Sequence, residues 1–240
     1  MSNAEVTTRD SALASAGGFL AILLWSATIA VARSISEQVG PLTAGAAVCC
    51  VSGALAVVRL ALSGQRRRRI RRLPLKYVLG CGALFVAYML ALYLAVGLAD
   101  GRQQVLEVGL LNYLWPATTI LFTVLLLKKK AGLLLLPATL MALCGVFLVL
   151  TQGEDVSWHS FTRNVATKPA VYALALYAGV SWGLYSALTR RWAGRQAQGA
   201  VHIFLPATAV VLVVLCLLLE DGPEWTVRAA GETAFLGLAT

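Results

Sequence analysis

Residues 105–127 read VLEVGLLNYLWPATTILFTVLLL. The run is apolar and long enough to cross a bilayer, which takes ~20 residues of helix. Its middle, NYLWP at 112–116, is unusual for such a run. An amide, a phenol, an indole and a proline sit where lipid contact would favour none of them.

Outward from this run, the same length of apolar sequence recurs. Complete segments are read at Ala12–Val31, Ala44–Leu62, Tyr77–Ala99, Val105–Leu127, Ala131–Leu150, Val171–Leu188 and Ala200–Leu219, and an eighth begins near Thr233. The whole chain is 59% hydrophobic and 13% charged, against ~45–50% and ~25% for a soluble domain. Bilayer lipid cannot satisfy backbone N–H and C=O groups, so helix is the expected form, and the alternation of an outer-membrane barrel is absent. The fold class is therefore all-α and polytopic. Glu5, Arg9 and Asp10 precede the first segment in place of a basic leader. That segment is read as a retained span, not a signal peptide.

Charge sets the orientation. With the N-terminus cytoplasmic, the inner side receives Arg9, Arg59, the RRRRIRR run at 66–72, Lys76, Lys128–Lys130, Arg190, Arg191 and Arg195, fifteen of the 20 basic residues. The outer side receives Arg33, Arg102, Arg163, Lys168 and Arg228. This bias places the N-terminus inside. The net charge of +9 thus reports topology first and contact with lipid headgroups second; nucleic acid is not implied. Cys49, Cys50, Cys81, Cys144 and Cys216 all fall in apolar segments without a CxxC pattern, and are read as small hydrophobes.

ILLWSATIAVAR at 22–33 is similar to AGVSWGLYSALTR at 178–190 when Trp25 is set on Trp182. The second segment then falls on the seventh and the third on the eighth. A repeat of five spans is odd in number, so its second copy enters inverted, as Arg33 outside and Arg190 inside require. Inverted repeats are a signature of secondary transporters, with the substrate near the midplane. The expected organisation is a first repeat at 1–151, an external loop at 152–170 and a second repeat at 171–240. About seven and a half of ten expected helices are present on this reading.

In helical steps Asn112, Trp115 and Thr119 share one stripe. Pro116 removes the bond to the Asn112 carbonyl and is expected to open the helix there. An amide, a freed carbonyl and a flat ring suit a small-molecule cavity, to which Trp25, Tyr88 and Trp182 add aromatic surface. GVSWG at 179–183 matches a nucleophile-elbow pattern, but it lies inside a helix, and the two histidines, His159 and His202, are placed too far away to serve Ser181. An intramembrane hydrolase is disfavoured and the chain is expected not to be an enzyme. No P-loop is present. Glu107 is the candidate for proton coupling; substrate running down its own gradient is the favoured alternative. The loop with Trp158, His159 and Phe161 is expected to lie as an amphipathic segment on the outer interface.

The stretches ILLWSATIAVARSISEQVGP (22–41) and QQVLEVGLLNYLWPATTILFTVL (103–125) closely resemble the YddG-type aromatic amino acid exporters, in the EamA branch of the drug/metabolite transporter superfamily. The resemblance implies ten helices in two inverted halves and export of aromatic and other neutral amino acids across the bacterial inner membrane by alternating access through a central cavity. It carries Trp25, Tyr88, Asn112, Trp115 and Trp182 over as substrate-binding candidates. Amino acids and membrane lipids are the expected partners, with no cofactor or metal, and the chain is expected to be a monomer. A broad drug/metabolite exporter and a passive facilitator are the alternatives.

Overall fold

The computed structural model describes residues 3–128, 132, 135–151, 158–197 and 200–239. Among them the chain is helical. The first span is broken in two, α1 (Asn3–Ser26) and α2 (Thr28–Val39), at Ala27. It is followed by α3 (Pro41–Ala61), the short α4 (Gly64–Ile70) and α5 (Leu75–Leu98). The fourth span is likewise broken, into α6 (Gly101–Asn112) and α7 (Trp115–Leu127). Then come α8 (Leu135–Thr151), α9 (Trp158–Thr167), α10 (Pro169–Trp192), α11 (Val201–Leu219) and α12 (Val227–Ala239). Six of these spans are long and apolar enough to cross a membrane. The helix of the fifth segment has 17 residues, and Lys129, Lys130 and Ala131, before it, lie outside the described residues. α12 begins six residues earlier than the apolar run: the Thr226 hydroxyl accepts the Ala229 amide at 3.0 Å, and an Arg228–Glu232 ion pair at 2.8 Å spans the first turns.

Punctuation follows local chemistry. Pro41 and Pro169 occupy the first turns of α3 and α10, where no amide donor is missed. Ser63 accepts the Arg66 amide at the start of α4. Gly40, at φ +89, turns the chain between α2 and α3. The first free amides of α3, on Leu42 and Thr43, donate to the Glu220 carboxylate at 2.8 and 2.7 Å. An acid from the end of α11 thus caps α3 and suits its positive end. The opposite case occurs at the end of α5. There Arg33 donates to the carbonyls of Val96, Gly97 and Ala99, and Lys168 donates to that of Leu98.

α3 and α11 pack along each other, as do α5 and α10, and α12 lies against α2 and α3. Close approach is bought by small residues: a side chain on Gly53 would meet the Pro206 backbone at 3.1 Å. The buried core is rich in Ala, Val and Leu and includes Cys49 and Cys81. Cys50 and Cys144 instead are exposed, so the expectation that all five cysteines are buried small hydrophobes fails for these two: each sits on a helix face turned away from the bundle. The connectivity gathers the basic residues of α3, α4, α5 and the end of α10 at one end of the bundle and most acids at the other.

Candidate functional site

Pro116 stands in the first turn of α7. The helix is interrupted at Tyr113 and Leu114, and the Leu114 amide bonds back only three residues, to Leu111, at 3.2 Å. Thr118 and Thr119 donate to the carbonyl of Trp115 at 3.1 and 2.7 Å, closing the first turn of α7. The carbonyls of Leu111 and Asn112 do not open into a void, however. Gly179 of α10 lies over them, and a Cβ there would sit 2.7 and 3.1 Å from the two oxygens. One turn on, a Cβ on Gly183 would collide with Thr118, whose hydroxyl donates to the Gly179 carbonyl at 2.9 Å. GVSWG is therefore a small-residue seam for the broken helix. Its Ser181 is buried and donates to Ala178 of its own helix at 3.1 Å. His202 pairs with Arg66 at 3.0 Å, not with Ser181.

Three of the expected site residues come together at the break. Tyr88 and Trp182 pack at 4.6 Å between centroids with their rings tilted by 45°, and the Asn112 side chain interacts with the Tyr88 hydroxyl. Asn112 is buried, and its Oδ1 has no hydrogen-bond partner among the described residues. The Tyr88–Trp182 pair continues through Phe85, Tyr185 and Phe204, at centroid separations of 5.3–6.3 Å. These three were not singled out in the sequence. The signal was there: Phe85 and Tyr88, like Trp182 and Tyr185, are three residues apart and share a helix face.

Trp115 is half-buried at the start of α7. Trp25 stands apart from the cluster, 55% exposed on α1. α1 touches only α2 and α12 among the larger packing contacts, whereas α10, which carries Trp182, is flanked by α5, α6 and α7.

Glu107 is fully buried one turn and a half above the break. Its carboxylate is enclosed by neutral donors: the Tyr172 hydroxyl, the Asn164 amide at 3.2 Å to both oxygens, and the Gln103 amide at 3.4 Å. Asn164 comes from α9, the amphipathic segment, which is also held by an edge-on contact of Phe161 with Tyr172. On the other side of α6, a cleft of about 430 Å³ runs along α2 from Ser26, beside the first break, to Arg33, Glu37 and Arg102 at the acidic end. Tyr113 and Gly109 form its α6 wall. Two interrupted spans thus face one cleft.

Helices of spanning length, two of them interrupted at mid-depth beside a cleft and an aromatic cluster, define a polytopic helical membrane protein. Residues 13–151 match the EamA-like transporter family, and the chain belongs to that family. It is 36% identical over 195 residues to the aromatic amino acid exporter YddG of Salmonella typhimurium, covering 81% of this chain and 64% of the relative. The Escherichia coli K12 protein of the same name is 34% identical, covering 82% and 65%, and that of Ancylobacter novellus is 31% identical, covering 92% and 75%. The chain thus spans under two thirds of the length of the first two. A solved structure titled only as a protein crystal structure superposes with a TM-score of 0.70 at 29% identity, over 92% of this chain and 72% of that one.

Proposed function

We propose that this chain exports aromatic and other neutral amino acids across the bacterial inner membrane, with its basic end in the cytoplasm. The observation that carries this is the break at Tyr113–Leu114. It holds a buried acceptor with no donor among the described residues, Asn112 Oδ1, beside the tilted Tyr88–Trp182 pair. A substrate ammonium satisfies the acceptor, and a flat apolar side chain finds the rings. The neighbouring cleft of about 430 Å³, lined by Gly109 and Tyr113 and not by Asn112, Tyr88 or Trp182, is within the ~300–1,000 Å³ of small-molecule sites. Interrupted helices at the substrate site are the habit of secondary transporters.

Alternating access through a central cavity between two inverted five-helix repeats is the mechanism we infer. Its support is the pairing of spans. The contact of α5 with α10 has its counterpart, under the repeat, in that of α12 with the first span, and α3 pairs with its own counterpart α11. Aromatic walls discriminate weakly between apolar side chains, ~1–3 kcal/mol per methylene, so Leu is carried as well as Phe and Trp.

Substrate gradient, not proton flux, drives the export. Glu107 is closed off by Tyr172, Asn164 and Gln103, and no other acid lies in the middle of a described span. The experiment is transport of labelled Phe, Trp and Leu in proteoliposomes. Asn112→Ala and Trp182→Ala are expected to lower transport about tenfold or more, the scale of a lost hydrogen bond to a charged group, and Trp115→Ala and Tyr88→Ala to lower it also. A protonophore is expected to leave it unchanged. Normal transport by both Asn112→Ala and Trp182→Ala removes the site, and strong protonophore inhibition removes the energetic reading.

A further inference from the structure

At the basic end, the C-terminal half of α3, the start of α11 and the last turn of α12 enclose a crevice of about 50 Å³ lined by Ser52, Ala56, Arg59, His202 and Gly237 among others. That is several times the ~10–15 Å³ that admits one water. Arg66 of α4 lies against it, with Nη1 3.0 Å from His202 Nε2.

This contact fixes the tautomer of His202. A guanidinium carries only donors and does not deprotonate. Nε2 must therefore accept, which puts the ring proton on Nδ1. Nδ1 is buried and has no partner among the described residues. A buried N–H without an acceptor is costly, and it belongs to a ring that lines the crevice.

The surrounding charge says which kind. Arg59 and Arg66 flank the ring, and the start of α11 adds the positive end of a 19-residue helix. The described residues offer no acid here. Their ion pairs, Arg33–Glu37, Lys168–Asp100 and Arg228–Glu232, all lie at the opposite end. A compact oxyanion fits the donors, the charge and the volume.

The rim decides where that oxyanion comes from. Leu238, which lines the crevice, and Val57, Val58 and Leu62, at the same end of the α3 segment, are all exposed. Apolar residues at the mouth of an anion site suit a molecule with a phosphate head and hydrocarbon tails. We propose that this crevice binds the phosphate of one anionic phospholipid. Arg59 and Arg66 neutralise the phosphate, His202 Nδ1–H donates to one of its oxygens, and the acyl chains lie along α3 and α12. The site stands independently of the transport reading.

The test is native mass spectrometry of the full chain from neutral detergent, with phosphatidylglycerol, phosphatidylcholine or inorganic phosphate added. One phosphatidylglycerol is expected to stay bound, and the other two are not. Each cation removed, by Arg59→Gln or Arg66→Gln, is expected to weaken retention about fivefold. His202→Phe, which keeps the ring's bulk and removes the donor, is expected to weaken it as well. Arg68→Gln, exposed on α4 away from the crevice, is expected to change it less than twofold. Helix content by circular dichroism checks each variant, and His202→Phe gives the readout should an Arg variant misfold. Equal retention by all four variants overturns the proposal, as does an Arg68→Gln loss matching the others. Binding of inorganic phosphate as strong as that of the lipid overturns the lipid as the ligand.

Discussion

Gly183 has no room for a side chain, because the Thr118 side chain and its carbonyl carbon, 2.8 Å from where a Cβ would be, fill the space. Overpacking of this kind costs ~1–3 kcal/mol. Gly183→Ala is therefore expected to lower the thermal midpoint in detergent. Gly17→Ala, where nothing lies within 4 Å, is expected to leave it equal or higher, since alanine favours helix. A scan of thermal unfolding on the two variants checks this. At the same scale, the sequence marked Asn112 and Trp182 by their depth in apolar runs. It could not mark Asn164 and Tyr172 as partners of Glu107, because they lie 57 and 65 residues away and only the docking of α9 and α10 on α6 brings them there.

The broken fourth span is a property of one element. Pro116 withholds a donor, and the α6–α7 junction bends where Gly179 can cover the exposed carbonyls. Pro116→Ala restores the N–H and allows the bond to Asn112. The variant is expected to unfold at the same temperature or higher and to transport more slowly, as measured by thermal scans and proteoliposome flux. Faster unfolding together with normal flux would mean that the break has no part in transport. The interruption of the first span at Ala27 has no proline behind it. Ser26 bonds the Leu23 carbonyl, a back-bond of the kind that bends helices.

For the whole molecule, charge segregation predicts topology. Arg68→Cys on α4 is expected to react with a membrane-impermeant thiol reagent only from the cytoplasmic side, and Glu224→Cys, between α11 and α12, only from outside. The native cysteines lie within apolar helices, and labelling of intact against opened cells checks the assignment. The reverse pattern would invert the molecule and the direction of transport proposed for it.

Apolar length, the basic bias and the proline in NYLWP determined, from sequence alone, a helical polytopic membrane protein with a broken fourth span. Those signals are local: each is read within one helix or one loop. Which face of each helix turns inward was decided only by the tertiary structure. A helix that is apolar all round presents lipid and protein with much the same surface, so hydropathy carries little information about its rotation. Packing of small residues, such as Gly179 and Gly183 on the α6–α7 break, sets that rotation instead. It is this that seats Trp182 against Tyr88 and leaves Trp25, its counterpart in the sequence repeat, exposed on α1.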